Sequence, residues 1–353
     1  MPERYDVAIV GAGFGGLGMA IRLARRSSAR FVVLEQANRV GGTWRENTYP
    51  GSGCDVPSHL YSFSFHPGRW PRVYSGQADI LRYLEDLVET YGLAPHLRLG
   101  AEVRSASFDA AEGAWRVALA GGETVTARAV VSSVGQLNRP APPEIPGHER
   151  FRGPSWHTAR WRHDCPLEGR RVAVIGTGAS AIQVVPELAG RVERLHVFQR
   201  SAPYVIPKPD REYGPLARAL YRHAPLLRRA DRLRIFLTGE LLGAALVSSP
   251  ALRRTLETRW RTFMESQVAD AELRARVTPD YVVGCKRILF SNDWYPTLQR
   301  PSVELVTDAV AEITEAGVRT ADGAEREVDA IVYATGFRTT GFLQPMAVTG
   351  PGG

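Results

Sequence analysis

The feature that most constrains the fold is a glycine-rich turn that occurs twice, each time between a strand-like apolar run and a helix-like apolar run. The first turn has the spacing GxGxxG and contains Gly11, Gly13 and Gly16. The second turn ends in alanine and contains Gly176, Gly178 and Ser180. Glycines at these positions let a pyrophosphate approach the backbone N–H groups at the start of a helix. The two turns predict an α/β protein with two Rossmann-like dinucleotide-binding domains in tandem.

The two turns are followed, at the same offset, by residues of opposite charge. Glu35 follows Gly11 at this offset, and Arg200, with Ser201 beside it, follows Gly176. A carboxylate binds the ribose hydroxyls of adenosine and repels a 2′-phosphate, whereas a guanidinium binds that phosphate through two hydrogen bonds. The sequence therefore predicts FAD in the first domain and NADPH in the second.

The turns and the proline positions also predict domain boundaries. Residues 1–140 with 331–353 form the predicted FAD-binding domain, 141–170 a linker, and 171–330 the NADPH-binding domain. The linker begins in a proline-rich stretch. A mainly helical stretch at 213–275, broken at Pro225 and Pro250, is predicted to be an insertion in the second domain. Strands are predicted at 115–119, 125–131, 303–306 and 330–333, and no regular element at 349–353.

Composition excludes several other classes of protein. The 353 residues are 44% hydrophobic and 23% charged, which is typical of a globular protein. The longest apolar stretch, 235–247, is too short to span a bilayer, and the N-terminus does not resemble a signal peptide. The sequence therefore predicts a cytoplasmic enzyme without an integral membrane segment. The net charge of +7 accompanies no nucleic-acid-binding motif. Three widely spaced cysteines and no HExxH pair predict no metal site.

Four longer motifs together resemble type I Baeyer–Villiger monooxygenases, which belong to the class B flavin-containing monooxygenases. The fingerprint FxGxxxHxxxW is matched by Phe151, Gly153, His157 and Trp161, although Arg162 follows where the family usually has proline or aspartate. The motif GGxWxxxxYPGxxxD is matched at every fixed position from Gly41 to Asp55. The segments 284–287 and 334–336 resemble two further family motifs.

The resemblance implies the chemistry and the roles of particular residues. FAD reduced by NADPH would react with O2 to give a C4a-peroxyflavin, which inserts one oxygen atom into a ketone or oxygenates a sulfide. Arg287 is implied to stabilise the negative charge, and Asp55 to orient Arg287. Lys286 is implied to assist Arg200 at the 2′-phosphate, and the four fingerprint residues to couple the domains. Thr43 and Trp44 are implied at the FAD site, where Tyr49 and Trp70 are further pocket candidates; for Trp70, core packing is an equal alternative.

Two alternatives remain open at this stage. The departure at Arg162 leaves room for an N-hydroxylating flavin monooxygenase that acts on amines. Family members normally continue well beyond the position of Gly353, with a segment that completes the FAD domain. The chain is therefore expected to have an incomplete FAD domain, and a catalytically inactive or uncoupled dinucleotide-binding fragment is the second alternative.

Overall fold

The computed structural model describes residues 3–353, which form two compact units. The first unit contains the chain up to Asn47, Gln77–Pro140 and Phe337–Gly353. The second unit contains Thr48–Gly76 and Ala141–Gly336. The chain thus leaves the first unit twice and returns to it twice.

Each glycine turn lies between a strand and a helix, and a second strand follows the helix. The strands are β1 (Glu3–Val10), β2 (Phe31–Glu35), β3 (Leu97–Leu99), β4 (Val103–Asp109), β5 (Ala114–Leu119), β6 (Thr124–Ser132), β7 (Ser155–His157), β8 (Arg171–Ile175), β9 (Arg194–Phe198), β10 (Val205–Ile206), β11 (Leu289–Phe290), β12 (Val303–Val306), β13 (Val310–Ile313), β14 (Gly317–Thr320), β15 (Glu325–Glu327), β16 (Ala330–Tyr333) and β17 (Ala347–Thr349). The helices are α1 (Phe14–Arg26), α2 (Thr43–Glu46), α3 (Gln77–Thr90), α4 (Ala179–Leu188), α5 (Pro215–His223), α6 (Pro225–Ser248), α7 (Pro250–Gln267), α8 (Ala271–Arg276) and α9 (Trp294–Leu298).

The first unit is built on a seven-stranded sheet in the order β17-β4-β5-β6-β1-β2-β3. The strand β1 pairs in parallel with β2 and β6, whereas β4, β5 and β6 form antiparallel neighbours. The helix α1 buries Leu17, Ala20 and Ile21, whose spacing places them on one face. The strand β17 pairs with β4 and includes Thr349, so the prediction of no regular element from 349 onward was wrong at that residue. A three-residue strand carries too little pattern to be recognised locally.

The second unit contains a five-stranded parallel sheet in the order β12-β9-β8-β16-β7. Its central strands are buried on both faces, which explains their continuous apolar runs. Three-stranded and two-stranded sheets are added by β13–β15 and by β10 with β11. The tandem α/β architecture predicted from the two turns is confirmed.

Three predicted domain boundaries differ from the observed units. The predicted linker at 141–170 contributes β7, which pairs with β16. The chain returns to the first unit after Gly336 and not at 331, because all four residues of β16 are buried in the second sheet. Residues 48–76, predicted as part of the first domain, belong to the second unit, where long-range hydrogen bonds hold them.

The predicted helical insertion at 213–275 is present as α5 to α8. Three of these helices begin with a proline, which suits the first helical position because its missing N–H has no partner there. The helix α7 buries Trp260 and Met264 in the unit's core. Among the described residues, no single helix has the length and apolar composition to cross a membrane.

Candidate active site

The first glycine turn is sterically closed to larger residues. Gly11 has a φ of +101°, and a β-carbon there would lie 2.6 Å from the Ser133 carbonyl oxygen. A β-carbon on Gly16 would lie 1.8 Å from the carbonyl oxygen of Gly11. Gly13 is the N-cap of α1 and makes no side-chain cap. The first N–H groups of α1 are therefore available to an anion.

Glu35 lies beside this turn, at the end of β2, and its side chain is almost completely buried. Its Oε2 accepts a hydrogen bond from the backbone N–H of Ala12 at 2.8 Å. Its Oε1 accepts one from the N–H of Ala37 and one from Arg45 Nη1, both at 3.0 Å. The sequence predicted Glu35 at this position but did not predict its ion pair with Arg45.

The short helix α2 carries Thr43 and Trp44 next to the first turn. The preceding loop lies directly on the turn, because a β-carbon on Gly42 would be 3.1 Å from the α-carbon of Gly13. Thr43 is exposed, whereas Trp44 is buried. The Trp44 carbonyl oxygen accepts a hydrogen bond from the side chain of Gln77.

The second glycine turn has the same construction. Gly176 has a φ of +114°, and its β-carbon would lie 2.5 Å from the carbonyl oxygen of Ala334, so the segment after β16 packs on the turn. Gly178 is the N-cap of α4 without a side-chain cap, and α4 has no acidic residue in its first turn, which includes Ser180. An anion at this helix start meets free N–H groups and no opposing carboxylate.

A cavity of about 650 Å³ opens at this second turn, and basic side chains line one part of it. Lys286 Nζ donates to Ser201 Oγ at 2.8 Å and lies 4.4 Å from the centre of the Tyr281 ring. Arg200, also in the lining, forms no hydrogen bond or ion pair with a described residue. The structure thus brings Arg200, Ser201 and Lys286 together at this cavity, and their role in binding NADPH stays a prediction. Their cationic groups face space that an anion can occupy.

Arg287 lines the same cavity and is joined to Asp55. Its Nη2 donates to both carboxylate oxygens of Asp55, at 2.5 Å and 2.6 Å. The Asp55 side chain is only 17% exposed, whereas that of Arg287 is 59% exposed. The carboxylate therefore anchors one side of the guanidinium and leaves other N–H groups accessible.

The loop that carries Asp55 is fastened to α4 by a glutamine that the sequence analysis missed. The Tyr49 hydroxyl donates to Gln183 Oε1 at 2.8 Å, and Gln183 Nε2 donates to the Gly53 carbonyl oxygen at 2.9 Å. A β-carbon on Gly51 would lie 2.6 Å from the Gln183 carbonyl oxygen. Gln183 belongs to no motif used in the sequence analysis, so only the three-dimensional contacts reveal it.

Two further groups near Asp55 were also missed. Burial raises the pKa of the Cys54 thiol to about 11, which keeps it protonated at neutral pH. Burial lowers the pKa of Lys208, whose backbone exchanges two hydrogen bonds with the Asn292 side chain. The Lys208 Nζ lies 5.2 Å from the centre of the Tyr74 ring.

The fingerprint residues lie within β7 and on both sides of it along the chain, all in the second unit. His157 is buried, its Nδ1 accepts the N–H of Ala159 at 3.1 Å, and burial lowers its pKa, so the ring is neutral at neutral pH. A β-carbon on Gly153 would lie 2.7 Å from the Asp329 carbonyl oxygen. Phe151 packs against a buried cluster, and Trp161 packs edge-on against Trp156 at 5.6 Å.

The remaining predictions concern Trp70, Tyr49, the cysteines and metal binding. Trp70 and Tyr49 are both buried, which agrees with core packing for Trp70. The three cysteines are unpaired, and within residues 3–353 no three potential metal-ligating side chains lie together.

Comparison with known proteins identifies the family. Residues 8–214 match the pyridine nucleotide-disulphide oxidoreductase family. A Baeyer–Villiger monooxygenase of Streptomyces coelicolor is 47% identical over 96% of this chain, and one of Pseudomonas aeruginosa is 43% identical over 94%. The chain spans 65% and 63% of the lengths of these two relatives.

A solved structure gives the same result. Cyclohexanone monooxygenase from Rhodococcus sp. Phi1, bound to NADP+, is 33% identical with a TM-score of 0.85, and the match covers 96% of this chain and 71% of that one. Together with the two glycine turns and the Asp55–Arg287 pair, these matches show that the chain belongs to the pyridine nucleotide-disulphide oxidoreductase family and, within it, to the flavoprotein monooxygenases of the Baeyer–Villiger type.

Proposed function

We propose that the protein is an FAD- and NADPH-dependent monooxygenase that inserts one oxygen atom of O2 into a ketone, giving an ester or lactone, or oxygenates a sulfide. The observation that carries the proposal is the position of Arg287, which lines the cavity at the second glycine turn and is also anchored on Asp55. The names of the relatives and the cyclohexanone monooxygenase with bound NADP+ support the same reaction class.

The residues of the second unit fit NADPH. The diphosphate would lie at the start of α4, where Gly176 and Gly178 leave the backbone open and no acid opposes it. Arg200 would bind the 2′-phosphate through its planar N–H groups, and Lys286, steadied by Ser201, would add a second positive charge. This assignment is supported by the Arg200 side chain, which lines the cavity and is not bound to any residue from 3 to 353.

The residues of the first unit fit FAD. Its diphosphate would lie at the start of α1, and Glu35 would accept hydrogen bonds from the ribose, since each carboxylate oxygen can accept more than one. Thr43 and Trp44 would contribute to the same site from α2, which packs on the turn. Bound FAD supplies the hydride acceptor and the activated oxygen on which the reaction depends.

Arg287 and Asp55 would supply the electrostatic part of catalysis. The guanidinium would stabilise, by its positive charge and its N–H groups, the negative charge that develops on the substrate oxygen during addition to a carbonyl. Asp55 holds it in place before the reaction, so that little reorganisation is needed at that moment. The two residues act by position and charge, and neither needs to transfer a proton.

The fingerprint residues are proposed to act through structure and not through proton transfer. His157 is neutral and accepts a backbone hydrogen bond on Nδ1, so this nitrogen carries no proton to donate. Phe151, Gly153 and Trp161 pack closely around β7. Their role in coupling the domains is proposed from the family resemblance, and the strand β7 beside them is an edge strand of the second unit's sheet.

No specific contact favours the N-hydroxylating alternative. Arg162, the residue that departs from the fingerprint, forms a surface ion pair with Asp164 at 2.6 Å. Both side chains are largely exposed, so the departure is accommodated locally and needs no change in the site. A cytoplasmic location is proposed because all three cysteines are unpaired, as is usual in a reducing compartment.

The test is oxygenation by the flavin-loaded full chain under ¹⁸O2, with NADPH and a panel of ketones and sulfides. We expect labelled ester, lactone or sulfoxide, and a decrease in kcat of at least about a hundredfold in Arg287→Ala. Arg319→Ala is the matched control, because Arg319 is an ion-paired arginine of the same unit outside the cavity. A kcat that falls by less than about tenfold in Arg287→Ala, or flavin-loaded protein that consumes NADPH without forming any labelled product, contradicts the proposal.

A further inference from the structure

The helix α6 has an apolar stripe on the side opposite to the side that packs on the protein. The packed side is fixed at two points: Asp231 Oδ2 bonds to His59 Nδ1 at 2.8 Å, and Arg232 donates to the carbonyl oxygens of His59, Leu60 and Ser62. These contacts determine which face of α6 points to solvent. That solvent face carries leucines where charged residues are expected.

The stripe consists of Leu226, Ala230, Leu233, Leu237, Leu241 and Ala244. Its four leucines are 75%, 56%, 48% and 72% exposed, in chain order. The two alanines are exposed as well. Spacings of three and four residues place all six on one face of the helix. A helix of 24 residues is about 36 Å long, so the stripe extends over most of its length.

The stripe is self-complementary in antiparallel orientation. A twofold axis at residue 235 places Leu226 opposite Ala244 of a second copy and Leu233 opposite Leu237. The same axis places Ala230 beside Leu241, so that large side chains meet small ones at both ends. This alternation lets two helices pack closely, with side chains of one between those of the other.

On one side of the stripe the charges are complementary in the same arrangement, whereas on the other side Arg234, which is paired with Asp231, meets its own symmetry mate. Arg229 and Glu240 flank it on one side, and neither forms an ion pair with a described residue. The axis at residue 235 brings Arg229 of one copy next to Glu240 of the other, and the symmetry forms this contact twice. A surface shared with an unrelated protein or a lipid bilayer has no reason for this internal symmetry.

We infer that the exposed face of α6 is a homodimer interface, in which α6 of one copy packs antiparallel against α6 of a second copy. The contact is isologous and therefore closed, so it gives dimers and not filaments. It lies in the helical insertion and does not depend on the proposed reaction.

The first test measures the mass of the full chain by sedimentation velocity over a range of concentrations. We expect a monomer–dimer equilibrium, and a Kd raised by at least about a hundredfold in the double variant Leu233→Glu, Leu237→Glu, because four leucines leave the interface. Leu99→Glu is the matched control, since Leu99 is an exposed leucine of the first unit, 41% exposed, and its change leaves the Kd unaltered. Circular dichroism confirms that each variant is folded.

The second test exchanges the flanking charges. Arg229→Glu alone and Glu240→Arg alone should each weaken the dimer, and the two changes in one chain should restore it. A mixture of the two single variants should form heterodimers in preference to either homodimer, which native mass spectrometry measures. Only an antiparallel contact between Arg229 and Glu240 predicts this preference.

Three results overturn the inference. The chain can remain monomeric up to high micromolar concentration, or the dimer can persist unchanged in the α6 variants. A monomer that binds phosphatidylglycerol vesicles, and loses this binding in Leu233→Glu, Leu237→Glu, would assign the face to a lipid surface instead.

Discussion

Replacing Gln183 with leucine separates the positioning of Asp55 from the binding of NADPH. The side chain joins α4 to the loop at Tyr49 and Gly53 by hydrogen bonds of 2.8 Å and 2.9 Å. Leucine has a similar volume but makes neither bond. Each such bond contributes about 1 kcal/mol, so the second unit should lose about 2 kcal/mol of its free energy of unfolding. The Tyr49 hydroxyl is buried and also interacts with the Ser52 and Ser180 hydroxyls, so it keeps hydrogen-bond partners when Gln183 is lost and the decrease stays near this value.

The kinetic effect should exceed what this loss of stability alone produces. Gly53 lies two positions before Asp55, so a displaced loop moves the carboxylate that anchors Arg287. A displacement of about 1 Å costs up to about a hundredfold in rate at such a site. We therefore expect kcat to fall by at least about tenfold, while KM for NADPH changes little because the start of α4 is untouched.

The assay is steady-state oxygenation with NADPH varied, combined with thermal unfolding of the same preparations. The matched control is Gln299→Leu, because Gln299 lies outside the cavity lining and its side chain makes three hydrogen bonds: it donates to the carbonyl oxygens of Gln267 and Tyr295 and accepts from the N–H of Ala269. Equal decreases in kcat for both variants would show a general effect of stability. An unchanged kcat in Gln183→Leu, with the expected loss of stability, would refute the positioning role.

Two other predictions follow from the cavity and from the fingerprint. Arg200→Ala should raise KM for NADPH by roughly tenfold, which is the effect of losing one exposed charge-assisted hydrogen bond. KM for NADH should not change, because NADH lacks the 2′-phosphate. An equal effect on both coenzymes would show that Arg200 does not bind the 2′-phosphate. Burial lowers the pKa of His157 below its usual 6.5, so the folded state binds fewer protons than the unfolded state. The contribution of His157 to the free energy of unfolding is therefore complete above about pH 6.5 and is lost as the pH falls. In His157→Asn the amide oxygen can still accept the hydrogen bond from the Ala159 N–H. The free energy of unfolding of this variant, measured with denaturant, should depend less on pH between about 6.5 and 5. An unchanged pH dependence would show that the pKa of His157 is the same in the folded and unfolded states.

Short sequence patterns predicted those turns and elements whose structure depends mainly on residues close to them along the chain. The two glycine turns, the charges of Glu35 and Arg200, and the strands β12 and β16 all follow from short stretches of sequence. Prolines likewise predicted the breaks at Pro225 and Pro250, where α6 and α7 begin, because proline suits the first helical position.

Long-range contacts could not be predicted in this way. Asp55 and Arg287 are 232 positions apart, and only the family resemblance paired them before the structure did. No periodicity indicated that residues 48–76 belong to the second unit, because the segment is a loop fixed by hydrogen bonds to distant residues. The position of β7 beside β16 was missed for the same reason: three residues show no pattern until their partner strand is known.

The strand order also determines when each sheet can be completed during synthesis. In the second unit, β16 lies between β8 and β7 but leaves the ribosome after both of them, so two apolar strand edges stay open until residue 333 has emerged. In the first unit, β17 emerges after the other six described strands of the sheet and pairs with the outer edge of β4. The nascent chain must therefore protect the edges of β7 and β8 until the whole segment between β8 and β16 has been translated, and slow translation of that segment prolongs the interval in which these edges can pair with another chain.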